Sequence, residues 1–396
     1  MPERAWRKTR LQDALARDDL LTKAREALRL GPLCDHCLGR LVAEIDTGLD
    51  NAARGQALRR ALAGPPPPET CSLCDNLFDA IPTWVVRAEK ALEGWEFRTL
   101  AVASHADPRI AAREAALWDR VGGDLAEPFK QAFNRLLGIA LCNAVGCETL
   151  LTRPDVLVVA DHASGEVALR VEPLRAAGRY RKLVRGIPQC RWQGWPTSVQ
   201  QIIGNPVCRA AGGEDHLFHG CGREDTDVRC LGERPFVVEV VRPRRRSHQW
   251  QAHAAAINGA GSVEVLDLAP CQRPNVARLK GLRPEKTYRA LVRLAEAVPP
   301  AALERLGRLV GEVEQQTPVR VLRRRADLPR RRRIHSVEWR RTDDRTLELT
   351  VRTQAGTYVK ELISGDGGRT RPSVAGILGV AAECAELDVV AIHLDG

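Results

Sequence analysis

The chain has 396 residues, 44% of them hydrophobic and only 4% aromatic, and its 60 basic against 50 acidic side chains leave a formal charge of +10. That length exceeds one ordinary core and indicates two or three domains, built mostly from Leu, Val, Ile and Ala. No stretch approaches the roughly 20 apolar residues of a membrane span, and the N-terminal "MPERAWRKTRLQDALARDD" is charged throughout, so membrane and secreted classes are disfavoured and a cytoplasmic protein is expected.

In chain order, residues 11–30 carry a helical period (Leu11, Leu15, Leu20, Leu21, Ala24, Leu28) that stops at Gly31-Pro32. "LCDHCLGR" follows, and the proline-rich "GPPPPETCSLCDN" brings a second cysteine pair. From about residue 96 strand-like and helix-like runs alternate. "FRTLAVAS" reads as a strand and "DPRIAAREAALWDRV" as a helix; "DLAEPFKQAFNRLLGIALCNAV" carries one apolar stripe behind an expected Asp124 cap. "DVLVVADHASGEVALRVEPL" predicts a hairpin turning through Ala163-Ser164-Gly165. The basic, aperiodic "GRYRKLVRGIPQCRWQGWP" (178–196) suggests a domain boundary. Beyond it, "RPFVVEVV", "TYRALVRLA" and "RTLELTVRT" read as strands; in the last, Leu347, Leu349 and Val351 alternate with Glu348, Thr350 and Arg352, which suits a sheet with one solvated face.

Two Cys-x-x-Cys pairs, Cys34/Cys37 and Cys71/Cys74, offer four thiolates to one tetrahedral ion. Structural zinc is the expected occupant, because four thiolates leave no open coordination position; redox pairs or unrelated buried thiols are the alternative. His36, inside the first knuckle, is expected to be exposed rather than ligating. A zinc deaminase needs His-x-Glu, and none of the nine histidines is followed two residues later by Glu. Of the 60 basic residues, 52 are arginine, whose fork matches phosphate. The runs "RPRRRSH" (242–248) and "RRRADLPRRRR" (323–333) suit an RNA backbone, with Arg244, Arg245, Arg246, Arg324 and Arg332 as candidate contacts; a merely solvated face is the alternative for either run alone. No helix-turn-helix or finger pattern appears, which favours looped or single-stranded RNA over duplex DNA. "NGAGSVEV" lacks the third glycine of a dinucleotide fingerprint, against a methyltransferase or thiolation enzyme.

"GCGREDTDVR" packs Arg223, Glu224, Asp225, Asp227 and Arg229 into seven positions. If extended, Asp225 and Asp227 share a face, and spacing alone does not separate an acid/base pair from a ladder of compensating charges. "EKTYRALV" and "TQAGTYVKELISGDGGRTRPS" hold two of the three tyrosines, Tyr288 and Tyr358, each after a threonine.

With "LCDHCLGR", "RYRKLVRGIPQ", "FHGCGREDTDVRCLGERPFVVEVVRP", "EKTYRALV", "QQTPVRVLRRR" and "TQAGTYVKELISGDGGRTRPS" in this order, the chain resembles the archaeal and eukaryotic tRNA pseudouridine synthases of the Pus-ten (PsuX) type. The resemblance implies an α/β (α+β) protein with a zinc-binding N-terminal module (1–95), a THUMP-like RNA-binding unit (96–190) and a pseudouridine synthase catalytic domain (197–396) around a central mixed or antiparallel sheet. It implies a monomeric enzyme, with no cofactor in the chemistry, that converts uridine to pseudouridine at positions 54 and 55 of the tRNA TΨC loop. A non-catalytic zinc-containing RNA-binding protein, or another THUMP-bearing tRNA-modifying enzyme, is the alternative. The family's catalytic aspartate falls on Asp225, its motif tyrosine on Tyr288 and its "GTY-x-basic" segment on Tyr358 and Lys360. Lys360 is the expected cation for Asp225, the tyrosines wall the base, and Arg223 holds either a phosphate or Glu224 or Asp227. Several archaeal relatives carry a further cysteine-rich knuckle after "GIPQ", where this chain has only Cys190 before "RWQGWP".

Overall fold

The structure, a computed structural model, describes residues 9–16, 18–323 and 325–394. Arg324, one of the expected RNA contacts, lies outside them. Two compact units divide the chain, Met1–Glu172 and Pro173–Gly396.

In the first unit the periodic run at 11–30 forms two helices, Leu11–Leu15 and Asp18–Leu30. Asp18 and Asp19 open the second, where acidic groups favour a helix N-terminus. The short helix Asp35–Gly39 follows the first cysteine and crosses Asn51–Ala61 through glycines. A Cβ on Gly39 would stand 1.8 Å from the Asn51 carbonyl oxygen, and one on Gly55 would stand 2.0 Å from that of Asp35. Any larger residue separates the two helices. Helix Ile81–Leu92 then leads to β1 (Thr99–His105), helices Pro108–Val121 and Phe129–Val145, and strands β2 (Glu148–Thr149), β3 (Val156–Asp161) and β4 (Val167–Val171). The sheet order is β2-β1-β3-β4, with β1 parallel to both neighbours and β3–β4 the expected hairpin. Asp124 does not cap the helix. That helix starts after Glu127-Pro128, and the Phe129 amide donates instead to the Glu114 carboxylate at 2.9 Å.

The expected boundary at residue 95 cuts through packed structure. Ala88 and Leu92, on helix Ile81–Leu92, are buried against Leu100, Leu141, Val156 and Val158, so the end of this helix packs on the sheet beyond the expected boundary. Trp84 and the knuckle cysteines share another core with Phe129, Phe133 and Leu137.

The expected boundary in 190–197 also differs from the observed one. The second unit begins earlier because β5 (Leu174–Lys182) lies inside its sheet, antiparallel to two strands. Leu174, Ala176, Tyr180 and Lys182 are buried, while Arg179 and Arg181 pair with Glu233, Asp267 and Glu264. The charges that conceal the strand in the sequence are thus cross-strand ion pairs. Helix Val199–Ala211 and strands β6 (Asp215–Gly220), β7 (Arg229–Val241), β8 (Val263–Pro270), β9 (Glu285–Leu294), β10 (Gly311–Gln315), β11 (Arg330–Arg341), β12 (Thr346–Thr353), β13 (Thr370–Arg371) and β14 (Ala382–His393) complete the frame. The sheet runs β13-β10-β11-β12-β9-β14-β7-β5-β8, with β6 added on β7. Only β14–β7 is parallel, which makes it the mixed sheet expected. On β12, Leu347, Leu349 and Val351 are buried and their neighbours partly exposed, as the alternation predicts.

Candidate active site and metal centre

The loop between β6 and β7 carries the acidic cluster, and the buried faces of β5 and β7 hold its backbone. Lys182, fully buried, donates to the carbonyls of Ile187 (3.0 Å), Asp225 (3.1 Å) and Thr226 (3.1 Å). Arg234, also fully buried, donates to the Cys221 carbonyl at 2.7 Å and pairs with Glu224 at 3.0 Å. Tyr180 donates to Glu224 at 2.9 Å, and Gln189 donates to the Tyr180 hydroxyl (2.9 Å) and the Gly222 carbonyl (3.0 Å). Glu224 is therefore an internal anchor. A buried carboxylate with one arginine and two uncharged partners is satisfied where it stands.

Asp225 and Asp227 project from this anchored loop and meet different cations. The guanidinium of Arg320 donates to Asp225 at 2.9 Å, whereas Lys360 lies 3.7 Å from Asp225 and donates to both oxygens of Asp227 at 2.6 and 2.8 Å. Lys360, the expected cation for Asp225, does pair with it, but at longer range than Arg320, and its hydrogen bonds go to Asp227. Burial alone would raise the Asp227 carboxyl, but Lys360 outweighs it and holds the group below the usual carboxylate range. Arg320 is oriented in turn by buried Glu361, at 2.7 Å. Burial would lower its guanidinium, yet Glu361 and Asp225 together raise it, so it remains charged.

A cleft of about 500 Å³ opens beside Asp225, lined also by Tyr288, Arg320, Tyr358 and Lys360. Tyr288 is on β9, a central strand. Its phenol is pushed up to about 12, first by burial and then by Cys230, Asp225 and Glu224, against the opposing charge of Arg234. Tyr358 precedes helix Val359–Ser364 and is held at its backbone by Gln315, which donates to its carbonyl and accepts from its amide, both at 2.9 Å. Its hydroxyl accepts from Arg325 at 3.1 Å. Gln315, Arg320 and Arg325 all come from "QQTPVRVLRRR", in which the sequence reading gave a role only to the basic run that begins at Arg323.

Arg223 pairs with neither acidic neighbour expected of it; its guanidinium lies over Trp192, 5.5 Å from the ring centroid. Arg244 and Arg245 are exposed, and their amides close the end of helix Val199–Ala211 by donating to the Ala211 carbonyl. Arg246 is half-buried. Arg332, on β11, lies against Gly356 at the "AGTY" turn. The structure therefore brings Asp225, Tyr288, Tyr358, Lys360 and Arg223 to one cleft, places Arg332 against its Gly356 rim, and leaves 244–246 on a separate loop.

In the first unit the ligand atoms of Cys34, Cys37, Cys71 and Cys74 lie within 4.8 Å of one another, all buried. Cys34 and Cys74 are 3.8 Å apart at sulfur, the edge expected of a tetrahedron with Zn–S bonds of about 2.3 Å. The amides of Cys37 and Cys34 donate to Cys34 and Cys71 sulfur at 3.4 and 3.3 Å, bonds that favour thiolates. Arg40, fully buried nearby, pairs with Glu114 and adds positive charge beside Cys37. The residues fit a four-thiolate metal centre. His36 is outside it and stacks on Phe78 with centroids 4.9 Å apart, half-buried rather than exposed.

Comparison with known proteins gives this site its class. Residues 176–393 match the family model "Pus10, C-terminal", and residues 84–161 match "Pus10 THUMP domain, archaeal". The second unit is thus a pseudouridine synthase domain, an isomerase, and the first contains a THUMP domain. Relatives named "tRNA pseudouridine synthase Pus10" are 40% identical in Pyrococcus furiosus, covering 94% of this chain and 98% of that one, and 39% identical in Methanothrix thermoacetophila, covering 94% of each. The chain belongs to the Pus10 family. Among solved structures, a Cbf5–Nop10–Gar1 complex aligns at 20% identity with a TM-score of 0.32, over 53% of this chain and 47% of that one.

Proposed function

We propose that this chain isomerises uridine to pseudouridine at positions 54 and 55 in the TΨC loop of tRNA, with Asp225 as the catalytic carboxylate. The observation that carries the reading is the placement of Asp225: it stands exposed at the cleft on a loop clamped from below, 2.9 Å from Arg320 and beside two tyrosines. The reaction breaks the bond from the ribose C1′ to N1 of uracil, turns the base and forms a bond from C1′ to C5; C5 then gives up its proton and N1 takes one up, so the product is an isomer of the substrate. Asp225 acts at the sugar, as nucleophile at C1′ or as base on the ribose. Arg320 and Lys360 offset its charge as the nucleotide displaces water.

The uridine lies in a folded loop and must leave its stack to reach the cleft. Tyr288 stacks on the freed base, and Tyr358, fixed by Gln315, forms another wall. With its phenol pushed up to about 12, Tyr288 enters as a neutral hydroxyl and serves by stacking and hydrogen bonding rather than as phenolate. The four cysteines hold a structural zinc, outside the chemistry. Asp225→Ala tests the assignment: tRNA binding stays within about twofold while pseudouridine formation is lost. Product formed by that variant contradicts the role given to Asp225.

A further inference from the structure

Lys286 and Tyr288 are two residues apart on β9, so they face the same side of the sheet, and both line the cleft. Lys286 is only 8% exposed, yet among the described residues its ammonium has no hydrogen-bond or ion-pair partner. Glu224, the loop carboxylate whose charge acts on Lys286, is committed to Arg234 and Tyr180. Gly222, at φ +77°, lets the ammonium approach: a Cβ there would stand 3.4 Å from Lys286 Nζ and 3.2 Å from an Arg234 nitrogen. Lys286 thus sits beside another cation. Arg223 and Arg283 line the same cleft. Their described partners are the Trp192 ring and the carbonyls of Lys280 and Leu282, none of them anionic.

An ammonium on a side chain this buried, with no partner, is poorly solvated at the cleft wall, and an arriving anion offsets that cost. We propose that Lys286, flanked by Arg223 and Arg283, is a phosphate subsite that grips the RNA backbone next to the uridine being isomerised. The proposal rests on the cleft being the uridine site. Three cations line one cleft whose carboxylates, Glu224 and Asp225, are paired with Arg234 and Arg320, and two of the three are forked arginines suited to phosphate oxygens. Burial, with the charge of Arg234 adding to it, holds the Lys286 ammonium below the usual lysine value, the direction that a bound phosphate reverses.

The test uses the full chain in an Asp225→Ala background, reading only binding of an unmodified tRNA transcript and thermal melting. Lys286→Met should weaken binding about tenfold and flatten the dependence of log K on log salt by roughly 0.7 to 0.9. Its melting temperature should hold or rise, because a poorly solvated, unpaired charge is gone. Transcripts with one methylphosphonate linkage at successive TΨC-loop positions then locate the contact: at one linkage the Lys286 chain loses affinity and the Lys286→Met chain does not. A lower melting temperature for Lys286→Met means the ammonium serves the fold and overturns the proposal; so does unchanged binding, or equal loss in both chains at every linkage. Turnover is not read, so this assignment and that of Asp225 fail separately.

Discussion

Asp225 and Asp227 are two residues apart on one loop, but Lys360 donates to Asp227 at 2.6 and 2.8 Å while Arg320 donates to Asp225 at 2.9 Å. On the proposed chemistry Arg320→Met should therefore lower the single-turnover rate by about a hundredfold, more than Lys360→Met does, because it removes the nearer cation and leaves Glu361 buried without its guanidinium. Turnover in Arg320→Met above that of Lys360→Met would reverse the ranking. Asp225, Tyr288, Tyr358 and Lys360 were legible as motif residues because each stands in a short distinctive string. Arg320 stood in such a string as well, but a pairing between positions 95 residues apart has no local signature. The same holds for Glu224, whose burial beneath Tyr180 depends on the fold.

At the scale of elements, β5 is the strand that the sequence hid. Its outward arginines are matched by acids on β7 and β8, and its inward Tyr180 and Lys182 fix the loop that bears Asp225. A basic, aperiodic reading of 178–196 missed this because period-2 alternation was carried by Tyr and Lys rather than by aliphatic residues. Lys182→Met should cost about 2 kcal/mol of stability, since three carbonyls each lose a charged donor, and Ile187 loses its ammonium partner outright. Denaturant unfolding measures it, and an unchanged midpoint would deny the clamp. By contrast, β7, β9 and β12 were legible throughout, since each is a run of alternating or continuous branched residues whose buried face needs no distant partner to be recognised.

Over the whole molecule, a THUMP-containing unit with a four-cysteine centre precedes a synthase unit built on one mixed sheet. The cysteine spacing foretold the four-sulfur cluster. It could not foretell that helix Ile81–Leu92 would pack on the four-stranded sheet, because the apolar stripe of a helix does not name the surface it will cover. Cys71→Ser should lower the metal content from about one ion per chain to near zero and lower the melting of the first unit while that of the second persists, as metal analysis and calorimetry together report. Equal metal content in both chains would remove the centre from the account. The central claim is site-specific isomerisation, and the most direct measurement is carbodiimide-blocked primer extension on an unmodified tRNA transcript incubated with the purified chain. New stops at positions 54 and 55 of the TΨC loop are predicted; a transcript with no new stop in that loop would contradict it.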